Sequence, residues 1–220
     1  MTGTIPAHAE NDTGRRLRVG LFGGTFDPIH IGHLLAAQSA CEAFALDRLL
    51  FVPSYVTPHK RGGTGADVAA RLAMLRLAIA DQPCFGISLL EVDRRGVSFT
   101  VNTLRDLKAA HPEWDLWFII GMDSLRDLHL WREPQEIITL CTVATLERPG
   151  SPTLISEVPG FDDDISARLL RNVAHGRYVD ISSSEIRARI ADCRTIRYLV
   201  PRDVEEYIYE HRLYLAAAPL

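Results

Sequence analysis

Residues 18–33 read Arg-Val-Gly-Leu-Phe-Gly-Gly-Thr-Phe-Asp-Pro-Ile-His-Ile-Gly-His. Val19–Phe22 is a short apolar run, the pattern of a parallel strand buried on both faces. Gly23-Gly24-Thr25 predicts a tight turn in which the backbone can approach a ligand, because glycine carries no Cβ. His30 and His33 stand at the start of an alanine-rich apolar run, Ile31–Leu46. Their i,i+3 spacing puts both imidazoles on one helical face, near a helix N-terminus where free N–H groups and the macrodipole favour anions. Pro28 suits a turn or a first helical position. Two plainer readings stay open on these residues alone. One is an ordinary βα turn with surface histidines; the other is a partial metal site completed by Asp27.

Outward from this stretch, strand-like and helical runs alternate. Leu49–Val52, Phe85–Val92, Leu116–Ile120, Thr142–Leu146 and Tyr178–Ile181 read as extended segments. Between them Asp67–Asp81 and Thr100–Ala110 read as helices, the latter with Val101, Leu104 and Leu107 on one face. Such alternation predicts an α/β fold with a Rossmann-like, doubly wound parallel sheet. The segment 1–16 reads as a flexible extension and 17–220 as a single domain. Two loops are rich in proline or glycine, Pro53–Gly65 with His59, Lys60 and Arg61, and Arg148–Gly160. In open α/β sheets ligands gather beyond the carboxyl ends of the strands, so the Gly-Gly turn, the Lys60 loop and Gly121 are expected to share an edge.

A chain of 220 residues with 47% hydrophobic residues is long enough for one sizeable core. Its net charge of −4 argues against a broad nucleic-acid-binding surface. No segment approaches a membrane span or a signal peptide. Cys41, Cys84, Cys141 and Cys193 are scattered without a CxxC pair, as expected of free thiols in a reducing cytoplasm.

A second anion grip lies far downstream. Ser182 and Glu185 have capping-box spacing, and Ile186 and Ile190 give the following helix an apolar stripe. Ser183, Ser184 and Arg187 then offer hydroxyls and a guanidinium where free N–H groups already favour phosphate. A well-capped helix with a solvated arginine is the bland alternative.

Together these segments resemble the HxGH nucleotidyltransferase superfamily. His30-Ile31-Gly32-His33 stands for its HxGH element, and Ile181-Ser182-Ser183-Ser184-Glu185-Ile186-Arg187 for its ISSTxIR element. Ser98-Phe99-Thr100-Val101-Asn102-Thr103-Leu104, Phe118–Leu125 and the Trp131 region resemble, more narrowly, the bacterial nicotinate-mononucleotide adenylyltransferase family. That resemblance spans Val19–Leu215. It implies a nucleotidyltransferase-type fold with a small C-terminal helical portion, and attack of the nicotinate mononucleotide 5′-phosphate on the α-phosphorus of ATP. It implies catalytic roles for His30, His33 and Arg187. ATP would bind at Gly23, Gly24, Thr25, Phe26, His30, His33, Gly121, Asp123, Ser182, Ser183, Ser184 and Arg187, with Lys60, Thr100 and Trp131 on the second substrate. Mg²⁺ would arrive mainly on the ATP phosphates, without a dedicated protein cage. The partners expected are small molecules, with no nucleic acid or membrane; a homo-oligomer is compatible with the sequence. A pantetheine-phosphate adenylyltransferase, or a non-catalytic nucleotide-sensing module, is the competing reading.

Overall fold

Six parallel strands form one sheet in the order β3-β2-β1-β4-β5-β6. The computed structural model of the chain describes residues 14–55, 65–147, 156–177 and 179–215. The strands are β1 (Arg18–Gly24), β2 (Arg48–Pro53), β3 (Phe85–Ile87), β4 (Asp115–Gly121), β5 (Thr142–Glu147) and β6 (Val173–His175). The helices, in chain order, are α1 (Ile31–Phe44), α2 (Val68–Ala78), α3 (Leu90–Arg94), α4 (Thr100–Ala110), α5 (Met122–Arg126), α6 (Pro134–Leu140), α7 (Asp163–Leu170), α8 (Ser183–Ala191) and α9 (Arg202–Glu210). A 3₁₀ turn at Leu128–Leu130 lies between α5 and α6. The last two helices are the C-terminal helical portion the resemblance implies. Among the described residues no helix is long and apolar enough to cross a membrane.

Strand order reverses between β1 and β4, whose register pairs Leu21 with Phe118 and Phe22 with Ile119. This is the topological switch point, where a crevice opens beyond the strand ends. Alternate residues feed opposite faces, as the twofold period of a strand requires. Leu21, Leu50, Phe118 and Ile120 join α4 and α6 in one buried cluster. Leu49, Phe51 and Ile119 join α1, α2, α8 and α9 in the other.

Three local expectations need correction. Gly23 and Gly24 belong to β1, paired with Val52 and Pro53; the chain turns later, where Phe26 takes φ 51° and the Asp27–Pro28 bond is cis. A Cβ on Gly24 would lie 2.8 Å from the Phe26 ring, so this glycine makes room for that turn instead of forming it. Pro28 precedes the helix, and His30 is its N-cap. Phe85–Val92 is extended only to Ile87, because Leu90–Arg94 coils into α3. The last strand is Val173–His175, which pairs with Thr145–Glu147; Val179–Ile181 pair with no strand, and Tyr178 lies outside the described residues. Lys60 also lies outside them, as does most of segment 1–16. Arg15, inside that segment, bonds Asp47 at 2.8 Å and is part of the folded body.

Candidate active site

The start of α1 is closed by the two histidines themselves. His30 Nδ1 accepts the His33 N–H at 3.3 Å, and His33 Nδ1 accepts the His30 N–H at 3.3 Å. This reciprocal pairing is a capping box built from imidazoles. It stacks the rings at 3.6 Å between centroids. A neutral imidazole that accepts at Nδ1 carries its proton on Nε2. Each ring therefore presents an Nε2–H donor.

Burial pushes the His30 pKa down to about 4, and burial with the neighbouring His30 charge pushes His33 down to about 3. Both are neutral at pH 7. The unfolded chain takes up protons below about 6.5, whereas the fold resists them until about pH 4, so stability should fall as pH drops through that window and stay level above it. We expect the urea midpoint of the unliganded protein to fall between pH 7 and pH 5, and by less in a His30→Asn/His33→Asn variant. An equal fall in both would remove the histidines from the effect.

The N-terminus of α8 meets that of α1. Ser182 caps the helix by accepting the Glu185 N–H at 3.1 Å. Ser183 Oγ donates to the Pro28 carbonyl at 2.9 Å. Arg187 donates to the Asp27 carbonyl at 2.6 Å and to Ser184 Oγ at 3.2 Å. Of the three hydroxyls, that of Ser183 latches the two helix starts together, a role the sequence reading did not assign it, while Ser182 caps α8 as its spacing predicts. What remains facing an anion is the N–H of Gly32, Ser183 and Ser184 at two helix starts, the imidazole Nε2–H groups, and the rest of the Arg187 fork.

Two pockets flank the ends of β1 and β4. One, of about 380 Å³, is lined by Phe22, His30, Gly32, His33, Gly121, Ser182 and Ser183, together with Arg177 and Asp180. The other, of about 200 Å³, is lined by Leu21, Gly23, Gly24, Thr100, Phe118 and Trp131. The Trp131 ring stands edge-on to Phe118 at 5.8 Å. Asn102 and Thr103 return their N–H groups to the Phe99 carbonyl, so the first N–H groups of α4, at Thr100 and Val101, have no partner within the helix.

The structure thus gathers Gly23, Gly24, His30, His33, Gly121, Thr100, Trp131, Ser182 and Ser183 around one crevice, with Ser184 and Arg187 behind Ser183 and on neither pocket wall. It does not bring every expected residue to a pocket wall. The Phe26 side chain is buried, edge-on to His33 at 5.1 Å. Asp123 opens α5 with its carboxylate 89% exposed and lines neither pocket. The Thr25 carbonyl is taken by Arg71 at 2.7 Å.

Sequence reasoning missed three residues behind the site. Asp27, offered only as a metal ligand, is buried and accepts the Tyr214 hydroxyl at 2.8 Å and the Ala66 N–H at 3.0 Å. Arg71 is buried behind the same loop. A visible signal for it existed: an arginine four residues before Leu75 falls on the apolar face of α2. Tyr214 carried no such signal.

A cytidylyltransferase-like family model matches residues 21–189. A "Probable nicotinate-nucleotide adenylyltransferase" of Citrifermentans bemidjiense is 43% identical over 91% of this chain and 100% of its own length. A protein of the same printed name from Thermus thermophilus is 43% identical over 90% of this chain and 100% of its own. The chain belongs to the nicotinate-nucleotide adenylyltransferase family. Its fold agrees with that of a Plasmodium falciparum nicotinic acid mononucleotide adenylyltransferase complexed with NaAD. That structure shares 20% identity at a TM-score of 0.70, over 90% of this chain and 98% of the other. The histidine pair and the serine-arginine segment lie far apart in this family member's sequence, and the fold brings their two helix starts together at the switch point.

Proposed function

We propose that this chain transfers the adenylyl group of ATP to nicotinate mononucleotide, giving nicotinate adenine dinucleotide and pyrophosphate. The observation that carries the reading is the pair of pockets on either side of the β1 and β4 ends. Phe22 and Ile119 wall the first, and Leu21, Gly23, Gly24 and Phe118 wall the second. Two ligands seated there would meet at the strand ends.

ATP belongs in the pocket of the histidines. Its phosphates would take the Nε2–H groups of His30 and His33, the free N–H groups of α1 and α8, and Arg187. The mononucleotide belongs in the other pocket, its pyridine ring on Trp131 and its carboxylate at the N–H groups of Thr100 and Val101. The attacking 5′-phosphate oxygen bonds to the α-phosphorus as the bond to the β-phosphate oxygen breaks and pyrophosphate leaves. The nucleophile already bears charge, so catalysis is positioning plus neutralisation of charge on the phosphoryl oxygens. Asp123 is left to the rim of this site.

Among the described residues there is no group of three His, Cys, Asp or Glu side chains that could hold a metal ion. Asp27, the carboxylate beside Arg187, already accepts the Tyr214 hydroxyl and the Ala66 N–H. Mg²⁺ would travel on the ATP phosphates and supply charge neutralisation there. The four cysteines are free thiols, which fits the cytoplasm as the working compartment.

Pyrophosphate release with ATP and nicotinate mononucleotide is the test. Nicotinamide mononucleotide and phosphopantetheine serve as competing acceptors, and release with phosphopantetheine alone would overturn the assignment. Trp131→Ala should raise KM for the mononucleotide about 10-fold, as loss of one aromatic stacking partner costs roughly 1–3 kcal/mol. KM for ATP should not move; a matching rise in both would place Trp131 outside the acceptor pocket.

A further inference from the structure

Asp27 ties together four parts of the chain that are far apart in sequence. Its Oδ1 accepts the Tyr214 hydroxyl at 2.8 Å and the Ala66 N–H at 3.0 Å. Its carbonyl accepts Arg187 at 2.6 Å, and its Oδ2 lies 3.8 Å from the same guanidinium. The Asp27 side chain is 3% exposed and that of Arg187 16%. Gly65 is required beside it, since a Cβ there would lie 2.5 Å from Asp27 Oδ2. Tyr214 holds φ 64°, a strained value for a bulky residue that persists only where surroundings over-determine it.

We propose that Tyr214, near the end of the chain, is a positioning residue for the adenylyl transfer, acting through Asp27 to aim Arg187 at the ATP phosphates. The inference rests on the functional reading above. The hydroxyl and the Ala66 N–H fix the Asp27 carboxylate. The fixed aspartate holds one edge of the Arg187 fork through its carbonyl and carboxylate, and the other nitrogen of the fork lies on Ser184 Oγ at the start of α8. A guanidinium delivers its donors in a rigid plane, so fixing one edge fixes the other. Burial and the adjacent carboxylate push the Tyr214 phenol well above its ordinary pKa, which keeps it a donor at any working pH. With Arg71 and Arg187 beside one carboxylate, the junction keeps a net positive charge under the two helix starts.

Tyr214→Phe removes one oxygen and is the direct test. Expected is a 5- to 20-fold loss of kcat/KM for ATP, with KM for nicotinate mononucleotide within twofold of the parent and circular dichroism unchanged. In an Arg187→Lys background the same change should add almost nothing, because residues acting as one unit are not additive. Tyr209→Phe, on the exposed side of α9, is the control and should leave both constants unchanged. Should Tyr214→Phe fail to fold, Ala66→Pro withdraws the other donor to Asp27 Oδ1 and should give the same pattern. Unchanged ATP kinetics in the variant that folds would overturn the proposal. So would equal losses for both substrates, or a full additional loss in the Arg187→Lys background. An inactive parent protein would instead overturn the functional reading itself.

Discussion

His33→Ala is expected to lower kcat for adenylyl transfer by about 10²–10³-fold, the range seen when one preorganised donor to a developing oxyanion is removed. The geometry makes the loss specific to the transition state. His33 carries its proton on Nε2 because its Nδ1 is taken by the His30 N–H, so the ring is a neutral donor aimed without prior reorganisation. Water entering the space left by alanine can donate to the same oxygen but cannot be held in place as the ring is. KM for ATP should change less than kcat, since His30, Arg187 and the helix N–H groups still bind the ground state. The ring also packs edge-on to Phe26 at 5.1 Å and Phe22 at 6.3 Å. The variant should therefore lose about 1 kcal/mol of stability, well short of the ~5–15 kcal/mol that holds a domain together. Steady-state kinetics with a thermal unfolding control checks both parts. A kcat within threefold of the parent would take His33 out of the mechanism.

His30 and His33 were legible because their chemistry is local. The spacing, the position at a helix start and the preceding strand all sit within one short stretch. The same holds for Ser182–Arg187 and for α4, whose start at Thr100 matches the sequence expectation. Long buried runs such as Leu49–Val52 and Leu116–Ile120 were legible as strands for a similar reason, needing only apolarity over several residues. What escaped was non-local or short. β6 is three residues long, too few for any period to show. Gly23-Gly24 looks like a turn because glycine permits one, but its place is decided by pairing with Val52 and Pro53 across the sheet. The serine hydroxyls were expected to hold phosphate, yet Ser183 is spent on Pro28, a carbonyl 155 positions earlier. Asp27 stands inside the most readable segment of the chain, but its partners come from Ala66, Arg187 and Tyr214. Nothing in one sequence announces such meetings.

Arg71→Leu is expected to destabilise the fold by roughly 3–5 kcal/mol, the cost of breaking a buried charged network from one side. Its guanidinium donates to three backbone carbonyls, Thr25 at 2.7 Å, Ser54 at 2.9 Å and Tyr55 at 3.2 Å. Those carbonyls end β1 and β2, so one side chain from α2 pins both loops that leave the sheet at the crevice. Leucine would fill part of the space and strengthen the apolar contacts of α2, but it donates nothing. Three carbonyls would lose their partner behind the phosphate grip, each worth about 1–3 kcal/mol if left dry. The Asp27 carboxylate would also lose one cationic neighbour, and its pull on Arg187 would draw that side chain toward the junction and away from ATP. Burial already pulls the Arg71 pKa down, with Asp27 acting in the opposite sense, so the arginine is held charged in part by the residue it helps to neutralise. Urea unfolding should show a lower midpoint with an unchanged slope, and the surviving folded protein should show a raised KM for ATP. Arg71→Lys should recover the charge but not the fork, since an ammonium cannot span three carbonyls as a planar guanidinium does; its stability is expected between the other two. A leucine variant as stable as the parent would mean that water, and not Arg71, satisfies those strand ends.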